Sequence, residues 1–91
     1  MIFMNKKDWA LENYEKAIEK ESDNELAHQL KGQALLSMRD KDNNYEKALD
    51  EFDIVLKNNP KNQESLFLKA FTLSKLGKND DAIQYYNKSI E

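Results

Sequence analysis

One arrangement of apolar residues recurs three times along this 91-residue chain, and it constrains the fold more than any other feature. In each copy an alanine is followed by apolar or small side chains one, four, seven and eight positions later. The copies span Ala10–Ile18, Ala48–Leu56 and Ala82–Ile90. Because this spacing places the side chains on one face of an α-helix, each copy predicts an amphipathic helix.

The intervals between these copies reveal the period of a repeat. The first two copies lie 38 residues apart and the last two lie 34 apart. A second set of positions has the longer offset, since His28, Gly32 and Leu35 correspond to Leu66, Ala70 and Leu73. Every interval of 38 crosses the polar stretch 39–44, whereas the interval of 34 does not. We interpret the period as 34 residues, with a four-residue insertion in one loop.

A 34-residue unit of two helices resembles the tetratricopeptide repeat. The small and aromatic columns of that family are filled by Ala10/Tyr14, Ala48/Phe52 and Ala82/Tyr86, the closing proline by Pro60, and the glycine column by Gly32 and Ala70. Some columns depart from the family pattern. His28 and Leu66 stand in place of Trp, Lys31 and Lys69 stand in place of Leu, and Ser22 stands where a proline would end the preceding unit.

The resemblance implies an all-α fold, an α-solenoid of antiparallel helix pairs with about two and a half repeats and five helices. The patterns predict helices over residues 7–21, 25–38, 45–57, 62–75 and 79–90. We expect one domain, 1–91, in which 1–24 is a partial repeat with its second helix only. Residues 25–62 then form a repeat with the inserted loop, and 63–91 form another repeat.

The ends of the predicted helices carry recognisable signals. The candidate N-terminal caps are Asp23 or Asn24, Asn43 or Asn44, Asn62, and Asn79. Met1, Met4 and Asn5 align with the last turn of a helix that would precede the chain, so we expect a fragment of a longer array. Trp9 is expected to pack over the start of this fragment. Its uncapped ends are expected to allow homo-oligomer formation.

Composition and charge exclude several classes of partner. The net charge is −3, and acidic and basic residues are interleaved, so no basic stripe is available for nucleic acid. No apolar run approaches the roughly 20 residues of a membrane span, and no signal-peptide core is present. We therefore expect no nucleic-acid or membrane partner and a cytoplasmic location. The absence of Cys excludes disulfides and thiolate metal sites.

No set of residues predicts a metal site, a cofactor or catalysis. Asp40, Asp42, Asn44 and Glu51 match the spacing of a calcium-binding EF-hand loop, but Tyr45 stands where the turn requires Gly. The only histidine, His28, falls in a packing column, so we expect a structural role. There is no Gly-rich phosphate loop and no nucleophile–base arrangement, so we predict a protein that is not an enzyme and has no cofactor.

The resemblance points instead to partner binding, because in this family the first helix of each repeat lines a concave surface that holds peptides or helices. The second and fourth helices of this chain each have two apolar-containing faces, and internal packing needs only one. The face predicted to form a partner-binding groove consists of Leu26, Gln29, Leu30, Gln33, Leu36, Phe67, Leu68 and Phe71. The prediction is a non-catalytic protein–protein interaction scaffold that binds an apolar peptide or helix.

The same face has two other interpretations. The face can belong to a structural segment that self-associates or packs within a longer array. It can also bind the C-terminal carboxylate of heat-shock chaperones, as some family members do with Lys, Asn and Arg. That function is disfavoured, because the corresponding positions here hold Gln29, Leu30, Gln33, Glu64 and Leu68.

Overall fold

The computed structural model describes residues 6–21, 24–38 and 43–91. Within these ranges the chain forms helices and no strand. The helices are α1 (Lys6–Lys20), α2 (Glu25–Ser37), α3 (Asn44–Asn58), α4 (Gln63–Lys75) and α5 (Asn79–Ser89). Each begins and ends within one residue of its predicted range, so the all-α prediction with five helices is confirmed.

Two of the predicted caps begin their helices. Asn24 Oδ1 accepts a hydrogen bond from the backbone N–H of Ala27 at 3.0 Å, and Asn62 Oδ1 accepts one from Ser65 at 2.9 Å. Helix α3 begins differently, because Asn43 adopts a left-handed conformation with φ of 61° and its side chain makes no capping hydrogen bond. Two other predicted cap residues, Asn44 and Asn79, lie inside their helices, as the first residues of α3 and α5. The residue in the N-cap position of α5 is Lys78, whose side chain makes no capping hydrogen bond.

The helices stack in chain order. Helix α2 packs most extensively on α3, and α4 packs most extensively on α5. The pairs are joined through α3 and α4, while α1 packs on α2. The short connections make successive helices antiparallel, so α2 and α4 run in the same direction. The division into repeats at residues 24 and 62 stays a prediction, and Met1, Met4, Asn5, Ser22 and Asp23 lie outside the described residues.

The core forms where an aromatic ring lies against a helix backbone. Leu35, Ala48 and Phe52 make up the buried cluster, and the ring of Phe52 is fully buried. A Cβ atom on Gly32 would lie only 2.5 Å from Cε1 of Phe52. The absence of a side chain at Gly32 therefore lets α3 approach α2. Further buried side chains on α2 and α4 are Ala27, His28, Leu66, Ala70 and Leu73.

The two lysines that depart from the family pattern connect neighbouring helices. Lys31 Nζ lies 3.7 Å from Glu15 Oε1 and 3.4 Å from Glu51 Oε1, which joins α2 to α1 and α3. Lys69 Nζ lies 2.6 Å from Asp53 Oδ1 and 4.2 Å from the centroid of the Tyr85 ring. Lys69 therefore joins α4 to α3 and α5 in the same way.

The surroundings of Lys69 change its affinity for a proton. Burial of the ammonium group acts to lower the pKa of Lys69, but hydrogen bonds and charge interactions with Asp53 and Tyr85 together outweigh it. The pKa of Lys69 is therefore raised above its ordinary value. The charged form of Lys69 is the form that stabilises the contact between helices α3, α4 and α5.

Trp9 corrects one expectation. Its side chain is 64% exposed and does not pack against the described helices as predicted. The repeat register explains this, because Trp9 occupies the column shared with Lys47 and Asp81, and both of those residues are exposed. The side chains of α1 that contact α2 lie on another face, which includes Leu11.

A candidate groove between helices α2 and α4

A groove with a volume of 400 Å³ lies between the parallel helices α2 and α4. Its lining residues are Gln33, Leu36 and Ser37 from α2 and Phe67, Leu68 and Phe71 from α4. The volume is near the lower end of the range of about 300–1,000 Å³ that is usual for ligand pockets. The groove therefore has room for one or two large apolar side chains of a partner, with the rest of that partner outside.

Helical spacing places these side chains on facing stripes. Phe67 and Phe71 are four residues apart on α4, so they lie one turn apart on the same face. Gln33, Leu36 and Ser37 have the matching spacing of three and four residues on α2. Because the two helices run in the same direction, the stripes lie side by side along the groove.

The floor of the groove belongs to the protein core. Leu36 and Leu68 are partly buried and pack against the cluster of Leu35, Ala48 and Phe52. Both leucines are therefore held in place from beneath. A partner side chain that enters the groove would meet an apolar surface that is already ordered, so little conformational entropy would be lost from this side.

The walls of the groove include two exposed aromatic rings. Phe67 is 50% exposed and Phe71 is 36% exposed. The ring of Phe67 lies 5.5 Å from that of Tyr86, at an interplanar angle of 59°, a favourable tilted geometry. Lys75 Nζ lies 5.3 Å from the centroid of the Phe71 ring. These neighbours restrain both rings while leaving one side of each open.

The structure brings together five of the eight predicted binding residues: Gln33, Leu36, Phe67, Leu68 and Phe71. Leu26 is 62% exposed and Leu30 is half-buried, and neither lines this groove. Ser37 lines the groove but was not predicted, although its position four residues after Gln33 was a usable signal.

Gln29 differs from the other predicted binding residues, because it is buried. Its Oε1 atom accepts hydrogen bonds from Asn62 Nδ2 and from Ser65 Oγ, each at 3.2 Å. The side-chain amide of Gln29 therefore links α2 to the beginning of α4. Its exposed fraction is only 6%, so it offers almost no surface to a partner. We exclude Gln29 from the binding surface proposed below.

Charged side chains border the groove at its two ends. Gln33 Nε2 donates a hydrogen bond to Glu64 Oε1 at 3.2 Å, which places this exposed carboxylate beside the groove. Lys75 lies over Phe71 near the other end of α4. Two further clefts of 530 and 510 Å³ are lined largely by polar and charged side chains.

The candidate metal and base residues have structural partners. His28 Nδ1 lies 3.1 Å from Glu51 Oε2, and both side chains are buried. Glu51 also pairs with Lys31, which leaves it engaged on two sides within the core. Asp40 and Asp42 lie outside the described residues. Among the residues that are described, no group of three or more His, Asp or Glu is placed to hold a metal ion.

None of the helices in residues 6–21, 24–38 and 43–91 combines the length and apolar character that a bilayer crossing needs.

Comparison with known proteins relates this chain to helical repeats. The model of a family described as anaphase-promoting complex, cyclosome, subunit 3 matches residues 4–89. No curated protein matches the sequence. A solved structure of a MamA mutant has a TM-score of 0.80 at 24% identity, covering 92% of this chain and 46% of that chain. At this identity the likeness shows the fold alone, and this chain spans less than half of the other.

Proposed function

Since the chain belongs to the anaphase-promoting complex, cyclosome, subunit 3 family of tetratricopeptide-like repeats, we propose that it is a non-catalytic scaffold that holds an apolar peptide or helix in the α2–α4 groove. Repeats of this kind serve as protein–protein interaction scaffolds. The observation that carries the proposal is the pair of exposed rings, Phe67 and Phe71, beside an apolar floor that is fastened to the core.

The proposed role of the two rings follows from their accessible area. Aromatic anchors in interfaces contribute the largest share of binding energy, and truncating one typically costs about 2 kcal/mol or more. Burial of apolar surface contributes about 25 cal/mol per Å². Phe67 and Phe71 have area available for such burial, and their neighbours Tyr86 and Lys75 already restrain them. We therefore assign the main binding energy to these two rings.

A random peptide library displayed on phage and selected on the purified chain tests this proposal. We expect recovered peptides to be rich in Leu, Phe or Trp and to lose at least tenfold in affinity when both rings are removed by Phe67→Ser and Phe71→Ser. The matched control is Ile83→Ser with Ile90→Ser, which removes one exposed apolar side chain from α5 and another from the residue that directly follows this helix. The control should leave peptide affinity unchanged. Failure to recover peptides, or equal binding by both double variants, would contradict the proposal.

A second candidate function is self-association through two exposed apolar side chains, Ile83 in α5 and Ile90 directly after it. Ile83 is 57% exposed and Ile90 is 82% exposed. The equivalent residues one repeat earlier, Leu49 and Leu56, are half-buried in the stack. If this function is correct, sedimentation should show an oligomer that Ile83→Ser with Ile90→Ser dissociates. The groove variants would leave its mass unchanged. A monomer at high concentration would exclude it.

A further inference from the structure

In the part of the chain that the structure describes, the α2–α4 groove has a carboxylate, Glu64, at one end and an ammonium group, Lys75, at the other. We propose that its partner carries a basic residue that lies beside Glu64, an acidic residue that lies beside Lys75, and apolar anchors between them. This inference rests on the binding function proposed above. It adds the charge pattern of the partner, which the apolar lining alone does not specify.

The acidic end is attached to the groove by a direct contact. Glu64 Oε1 accepts a hydrogen bond from Gln33 Nε2, and Gln33 is one of the lining residues. Glu64 itself is exposed. The carboxylate also lies in the first turn of α4, where the helix dipole favours a negative charge. A lysine or arginine on the partner can therefore reach this carboxylate without displacing a core contact.

The basic end is attached to the groove through an aromatic ring. Lys75 Nζ lies 5.3 Å from the centroid of Phe71, which is within the range of a cation–π contact. Lys75 is exposed and lies in the last turn of α4. A carboxylate on the partner would meet an ammonium group there, and a second cation would be repelled.

The distance between the two ends sets the spacing of the partner's charges. Glu64 and Lys75 are eleven residues apart on α4, which corresponds to about 16 Å at 1.5 Å per residue. A helical partner would match this distance with charges about eleven residues apart. An extended peptide, at about 3.3 Å per residue, would need about five residues. In either case the large apolar side chains come between the charges, over the 400 Å³ groove.

The charges are expected to select partners more than to strengthen binding. Both groups are exposed, and an exposed ion pair changes affinity by about two- to fivefold. Salt screens such pairs, with a Debye length of about 10 Å at 0.1 M. The preference for one charge order should therefore shrink between 50 mM and 500 mM salt, while the contribution of the apolar anchors persists.

The same peptide selection tests this inference separately from the proposed function. Peptides that depend on Phe67 and Phe71 should be enriched in one basic and one acidic residue at the spacing given above. Repeating the selection on a chain with Glu64→Lys and Lys75→Glu should recover peptides with the charges reversed. For a single recovered peptide, this double variant should weaken binding by about five- to twentyfold. A peptide in which the basic and acidic residues are exchanged should bind the double variant with the original affinity.

The matched control exchanges charges on a different helix. Glu46 and Lys57 are exposed, lie in the first and last turns of α3, and are also eleven residues apart. Glu46→Lys with Lys57→Glu should leave the selected pattern unchanged. Peptides that need Phe67 and Phe71 but show no charge bias would overturn this inference and leave the groove function standing. Peptides that ignore both rings would overturn both.

Discussion

Gly32 shows how a single side chain sets the distance between two helices. The ring of Phe52 is fully buried and occupies the space that a Cβ atom on Gly32 would need. In the next repeat the same column holds Ala70, which is also fully buried, and the aromatic column holds Tyr86. The pair of helices α2 and α3 therefore tolerates no side chain in this column, whereas the pair α4 and α5 accepts a methyl group.

We predict that Gly32→Ala destabilises the protein although alanine is the better helix former. The new Cβ atom would lie 2.5 Å from Cε1 of Phe52, and overpacking of this kind costs about 1–3 kcal/mol. The higher helix propensity of alanine offsets about 1 kcal/mol of this overpacking cost. Urea unfolding should show a net loss of about 1 kcal/mol. In a Phe52→Leu background the cost of Gly32→Ala should shrink, and an equal cost in both backgrounds would refute the explanation.

Lys69 gives a pH dependence whose sign follows from its raised pKa. The folded-state pKa lies above the value of about 10.4 expected in the unfolded chain. The charged Lys69 therefore stabilises the fold fully below about pH 10.4, and this stabilisation is lost as pH rises through the folded-state pKa. We predict that the free energy of unfolding falls above that pH, and falls less in Lys69→Met.

Denaturant unfolding between pH 9 and pH 12 measures this effect. The comparison needs a control, because the effect of the Lys69 charge has to be separated from every other change that alkaline pH causes. Lys57→Met removes an exposed lysine from α3, and its pH profile should follow that of the unsubstituted chain. Parallel profiles for Lys69→Met and Lys57→Met would show that the contact of Lys69 with Asp53 and Tyr85 contributes nothing.

At the scale of the helix, the cap of α4 has more partners than the cap of α2. Asn24 and Asn62 accept the same kind of hydrogen bond from the third residue beyond them. The side-chain nitrogen of Asn62 also donates to Gln29 and to Glu25, both on α2. Asn62 thus begins one helix and ties it to the first helix of the preceding repeat.

This difference predicts unequal costs for two similar substitutions. Asn24→Ala should lower the free energy of unfolding by about 1 kcal/mol, the usual value for a lost N-cap. Asn62→Ala should lower it by about 2–3 kcal/mol, because this substitution also removes one of the two donors to the buried oxygen of Gln29. Asn62→Ser should retain most of the capping contribution and lose the contacts to α2. Equal losses for both alanine variants in thermal or urea unfolding would contradict this account.

Helix positions could be predicted from the sequence, whereas contacts between helices could be predicted only in part. Apolar spacing reports which face of a helix is buried, and that information is local. The burial of Gln29 depends on Asn62 and Ser65, which are 33 and 36 residues away. Lys31 and Lys69 likewise depart from the family pattern. Their ammonium groups contact acidic or aromatic residues on two neighbouring helices, and these contacts are not visible in the spacing of apolar residues. The stripe of Phe67 and Phe71 was predictable, since the two rings share one helix.

At the scale of the whole molecule, stability should vary along the stack. A stacked repeat protein is stabilised by contacts between neighbouring elements, so a helix that contacts one neighbour has fewer of them than a helix that contacts two. Among the described residues, α1 packs on α2 alone, and none of its described side chains is fully buried. Helix α3 packs on both α2 and α4 and buries residues that include Ala48, Phe52 and Val55.

Hydrogen exchange followed by mass spectrometry should detect this gradient. We predict that amides of α1 exchange at least tenfold faster than those of α3, because local opening of α1 exposes little apolar area and breaks few contacts. Dilution separates this intrinsic gradient from self-association. If chains associate through α5, protection of the residues around Ile83 and Ile90 should rise with protein concentration. Equal protection of α1 and α3 in a sample that sediments as a monomer would refute the predicted gradient.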